Sequence, residues 1–114
     1  MATTLENFKS ETQLTASETT LVNTNSSEKK FVGQFTLTNT SASNVEVTLW
    51  RILTENPGTT GSGGNWIWKE TIPAKKTVKV NTLVGHVLGN SMKISGLAAT
   101  ASVINVDISG TTET

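Results

Sequence analysis

The sequence predicts an all-β fold, an antiparallel β-sandwich of about seven or eight short strands with an extended N-terminal arm. Three observations carry that expectation. Apolar residues recur at every second position in several short windows, the period of a strand with one buried face. Thr, Ser and Asn dominate the polar residues, and these favour strands or the corners between them over helices. The 114 residues contain 35% hydrophobic residues in clusters and carry no net charge, so the chain has the makings of one folded domain and not of a disordered tail.

Residues 1–17 form the arm, because Leu5, Phe8 and Leu14 are isolated apolar points in a polar run without dense periodicity. Leu5 and Phe8 lie three apart and would share one face of a helical turn, so the arm either docks on a neighbouring subunit or frays as a disordered leader. Residues 18–114 form the sandwich domain. Its first strand is 19–22, closed by the turn-rich 23–28. In 31–37, Phe31, Phe35 and Leu37 alternate with polar residues. Gly33 falls on their side and leaves room for a bulky neighbour such as an indole.

The run NTSASN at 39–44 is almost pure turn chemistry and leads into 45–53. There Val45, Val47 and Leu49 occupy one face, while the other changes from polar Glu46 and Thr48 to apolar Trp50 and Ile52. That second face calls for a cover, whether a loop, a neighbouring chain or the core curling round the strand end. The Gly-rich 56–65 is a long loop. Trp66 and Trp68 follow two apart on one face of a strand over 66–71. Pro73 makes a corner, 77–84 alternates again, Val87-Leu88 is a short apolar pair, Met92 and Ile94 begin another strand, and 102–109 closes the fold. Greek-key wiring of the immunoglobulin kind and jelly-roll wiring are both compatible with this pattern.

The chemistry is sparse. No Cys is present, which removes disulfides, thiol nucleophiles and thiolate metal sites, and one His is too few for a His-rich metal centre. His86, between Gly85 and Val87, is the only imidazole that a nucleophilic hydroxyl would have for a base; it reads more simply as a turn or interface residue. Glu46, Glu70 and Asp107 read as solvent-facing members of alternating strands and not as an acid–base pair. The glycines at 58–64 lack the Lys-Ser/Thr ending of a phosphate loop. Asn25 and Asn39 begin glycosylation triplets, better read as turns without a secretion signal. Nine basic residues balance nine acidic ones, which disfavours nucleic acid as a partner. No run of about 18 apolar residues points to a membrane. No catalytic residue, cofactor or metal is expected. Leu5, Phe8, Trp50, Ile52, Trp66 and Trp68 are the candidate interface residues; Trp66 with Trp68 would make a stacking platform for a sugar or an apolar patch for a protein, while a place in the core is the favoured reading for at least one of the two.

Three pieces of the chain, TLTNTSASNVEVTL (36–49), TIPAKKTVKV (71–80) and LVGHVLGNSMKISGLAATASVINVDISG (83–110), resemble a family of small β-sandwich virion proteins of tailed bacteriophages. The family pattern has a strand ending in NTSAS, an IPAG corner and a closing strand of alternating Val and Ile. This chain departs from it at Lys75, where Gly is usual, and at Asn90, where an acidic residue is common. The resemblance implies a non-enzymatic virion structural protein made in the host cytoplasm. A capsid decoration, or cement, protein is favoured; it would bind the major capsid protein or other virion proteins and stabilise capsomers. It further implies homo-oligomers, often trimers. The alternatives are a neck, tail or fibre component, or a glycan-binding module built on Trp66 and Trp68.

Overall fold

The computed structural model describes residues 3–53 and 66–114, which build nine strands and no helix. They are β1 (Thr3–Gln13), β2 (Thr19–Asn23), β3 (Lys29–Asn39), β4 (Val45–Leu53), β5 (Trp68–Ile72), β6 (Thr77–Lys79), β7 (Val87–Leu88), β8 (Met92–Ala98) and β9 (Ile104–Glu113). One sheet has the order β1-β9-β3-β6, with β7 also pairing β3; the other has the order β2-β8-β4-β5. All pairings are antiparallel. The chain passes from sheet to sheet at nearly every connection, and the first and last strands lie side by side. That order is jelly-roll wiring, which decides between the two topologies open to the sequence.

The core is what the alternation demands. Val32, Phe35 and Leu37 of β3 with Ile104, Val106 and Ile108 of β9 face Val45, Val47 and Leu49 of β4 with Ile94 and Ala98 of β8, all at 2% exposure or less. Strand β4 has the bounds the sequence predicts. Two other segments differ.

Residues 3–13 are not a separate arm but the edge strand β1, paired with β9 from Thr3↔Glu113 to Gln13↔Asn105. Main-chain pairing needs no apolar period, and register shifts between Asn7 and Lys9 and between Lys9 and Thr12 break any period there would have been. Shifts of this kind also protect an edge strand from pairing with other chains. Leu5 and Phe8 therefore sit on a strand and not on a helical turn.

In β3 the pairing with β9 slips between Val32 and Gln34. Gly33 is the extra residue, so the strand changes phase there: Val32 turns into the core and Phe31 turns out, 44% exposed. No indole packs on Gly33. A Cβ built on it would meet the Gly110 Cα at 3.5 Å and the Ser109 carbonyl at 3.6 Å.

The corner after β5 is closed by Lys76 N–H donating to the Pro73 carbonyl at 3.2 Å, with Lys75 at φ 60°. This is the left-handed region that glycine occupies freely. Lys75 Nζ donates to the Thr40 carbonyl at 2.7 Å and helps to hold the turn. Lys75→Val, with a branched Cβ in that conformation, is expected to lower unfolding stability by about 1–2 kcal/mol, whereas Lys75→Gly keeps the wild-type melting temperature to within a few degrees; thermal melts of both variants decide it.

Candidate functional site

The six candidate interface residues do not come together. Trp68 begins β5 and belongs to the core at 7% exposure, while Trp66 precedes the strand and is 42% exposed. The two indoles thus form no common platform. Ile67 N–H donates to the Leu49 carbonyl at 2.9 Å, which anchors the approach to β5 and leaves the Trp66 ring outside, with the Lys69 ammonium 6.0 Å from its centroid. Phe8 is half-buried and packs against the core, its ring edge next to Gly110 and the Lys30 ammonium 5.5 Å from its centroid.

Trp50 and Ile52 stand on the outer face of the second sheet, opposite Ser95 and Lys93 of β8, and lie outside the core cluster. They are nevertheless buried. Trp50 Nε1 has no acceptor among the described residues. The Gly-rich loop at 56–65 lies outside the described residues.

Leu5 is the most exposed large apolar side chain among the described residues, at 85%, and it has company that the sequence did not reveal. The register places Leu5 opposite Thr111, Thr111 opposite Phe31, and Phe31 opposite Val87. Directly opposed residues share a face, so an apolar row runs across four strands, β1-β9-β3-β7, on the outer face of the first sheet. Around it lie three open depressions of about 530, 260 and 240 Å³. The largest runs between Leu5 and Phe31 over Gly33, Ser109, Gly110 and Thr111. Farther along the same face the rows turn polar, with Gln13 Nε2 donating to Asn105 Oδ1 at 3.0 Å and the Thr38 and Thr77 hydroxyls 2.8 Å apart. The signal for Phe31 and Val87 was present only indirectly, in a glycine that follows two adjacent apolar residues.

The residues weighed for catalysis are dispersed. His86 lies between β6 and β7, where its carbonyl accepts the Val32 N–H at 3.0 Å. Glu46 pairs with Lys69 at 4.0 Å on the outer face of the second sheet, and Asp107 stands on the other sheet. Among the described residues no three His, Asp or Glu side chains gather as a metal site would need.

The fold and its surface define a class: a jelly-roll β-sandwich that presents sheet faces. No protein-family model, no curated protein and no solved structure matches the chain.

Proposed function

We propose that this chain is a structural protein of a virus particle, a decoration subunit that binds the outer shell of a bacteriophage capsid and stabilises its capsomers. Double-sheet jelly rolls serve as capsid and lectin domains, and the virion-like pieces at 36–49, 71–80 and 83–110 fall on strands and corners of this one. The observation that carries the reading is Trp66, a half-exposed indole beside the Lys69 ammonium. Large aromatic side chains of this kind anchor protein interfaces. Contacts made only in the assembled shell add to the work of separating capsomers by mass action.

The test is co-sedimentation of the purified protein with expanded phage capsids. Saturable binding that falls by about tenfold or more in Trp66→Ala supports the reading. Absence of binding to any capsid, together with a Trp66-dependent fluorescence change on adding a sugar panel, favours the glycan-binding module instead, which would then rest on a single indole.

A further inference from the structure

We infer that the outer face of the β1-β9-β3-β7 sheet is a self-docking surface, which joins two copies of this chain about a two-fold axis running along the strands between β9 and β3. The inference rests on register and goes beyond the shell-binding reading, which rests on Trp66, beside the start of β5 in the other sheet.

A two-fold rotation of that kind keeps each cross-strand row at its own level and reverses the order of the strands. Each side chain on β9 then faces one on the partner's β3, and each on β1 faces one on the partner's β7. In the apolar row, Leu5 meets the second copy's Val87 and Thr111 meets its Phe31. Thr111 forms part of the groove of about 530 Å³ between Leu5 and Phe31, whose lining includes the side-chain-free Gly33 and Gly110. The incoming phenyl ring thus enters a groove opened by two glycines.

One row beyond, Glu113 of β9 lies in register with Lys29 of β3. Neither makes an ion pair within its own chain among the described residues. Across the axis, Glu113 faces the second copy's Lys29, and Lys29 faces its Glu113, so one contact is made twice with opposite charges. Farther along, Asp107 lies one strand, about 4.8 Å, from the facing Lys79. Leu5 meets Val87, Phe31 meets Thr111 beside the groove and acid meets base, and sheets stacked face to face tolerate the angle that twist imposes.

Strands β1, β9 and β3, about 4.8 Å apart and roughly ten residues long, together with the two residues of β7, present about 500 Å² per copy, so the pair buries about 1,000 Å², the size of a weak, transient interface. The dimer is therefore expected to be concentration-dependent, assembling in the micromolar range.

Sedimentation velocity of the full chain across about 1–300 µM reads this directly. A monomer–dimer equilibrium is expected, with Phe31→Asp and Leu5→Glu each weakening it by about tenfold or more while circular dichroism and melting temperature stay close to wild type. Leu5, exposed on an edge strand, keeps the test valid if the Phe31 variant folds poorly. Lys29→Glu and Glu113→Lys alone place like charges together twice and are expected to be monomeric. Mixed in equal amounts, they carry opposite charges at both contacts and are expected to form a heterodimer. A strict monomer, a trimer, a dimer indifferent to Leu5 and Phe31, or two charge variants that fail to complement would overturn the inference. Loss of capsid binding with an intact dimer would overturn only the decoration reading.

Discussion

Gly110→Ala is expected to destabilise the domain by about 3 kcal/mol or more and to lower its melting temperature by roughly 10 °C or more. A Cβ at this position would overlap the Phe31 carbonyl oxygen, approach Phe8 Cε2 at 2.9 Å and reach the Gly33 nitrogen at 3.0 Å. Two of these three neighbours are backbone and cannot swing aside as the end of a flexible side chain can. The bulge at Gly33 draws β3 this close to β9, so the substitution must either open the ladder or push Phe8 off the core. Gly33→Ala is the control: its Cβ finds only ordinary contacts at 3.5 and 3.6 Å, and it is expected to stay within about 1 kcal/mol of wild type. Equal stability of the two variants in urea titrations would show that the two strands are not so close.

Asn39→Leu, nearly isosteric, is expected to cost about 3–4 kcal/mol, the second large effect. Asn39 is fully buried at the end of β3, and its amide is fully used. Nδ2 donates to the carbonyls of Ser43 at 2.8 Å and Ile72 at 2.9 Å, while Oδ1 accepts from the Ser41 N–H at 2.9 Å and the Ser41 hydroxyl at 2.7 Å. Ile72 ends β5 in the opposite sheet, so one side chain ties the two layers and the turn between them. Leucine would take away the amide donor to the buried Ile72 carbonyl and the acceptor of the Ser41 N–H, while the exposed Ser43 carbonyl keeps the Ser41 hydroxyl at 2.9 Å. Ser41→Ala removes one bond of this set, together with the exposed contacts of the same hydroxyl with the Ser43 carbonyl at 2.9 Å and the Ser43 N–H at 3.3 Å, and is expected to cost about 1 kcal/mol, less than loss of the whole Asn39 network. Chemical denaturation with an unchanged slope is the measurement.

The run NTSASN was legible as a turn because every residue in it favours one, but that its first Asn is a buried strut was not. Nothing in a one-dimensional pattern tells which face of a turn meets the opposite sheet. Strand β4 was legible to the residue because its inward Val45, Val47 and Leu49 alternate cleanly between turn signals. Strand β6 was predicted too long: Val80 donates to the Phe35 carbonyl, after which the chain leaves the sheet through residues 81–86 and returns as β7. Strand β1 escaped notice because an edge strand is held by main-chain bonds to β9 and has only one neighbour to satisfy.

The candidate surface was legible in part. Leu5 and Trp66 are exposed; of the two indoles Trp68 is the one in the core, in keeping with the core role favoured for at least one of them, and Phe31 lies on the face opposite to the one strict alternation gives it. That last difference has one cause, the single inserted residue at Gly33. Strict alternation from Phe35 backwards puts Phe31 inside, and only the pairing with β9 reveals the slip.

The pairing of β1 with β9 also sets a timetable for folding. Strand β1 has its sheet partner in β9, so on the ribosome it waits, unpaired, while all the strands between them emerge. Closing so long a loop costs entropy before any ladder bond offsets it, which places this domain among slow folders governed by non-local contacts. Until residues 104–113 leave the exit tunnel, Val32, Phe35 and Leu37 lack the strand beside them, and a chaperone that shields apolar segments during translation would raise the yield of folded protein.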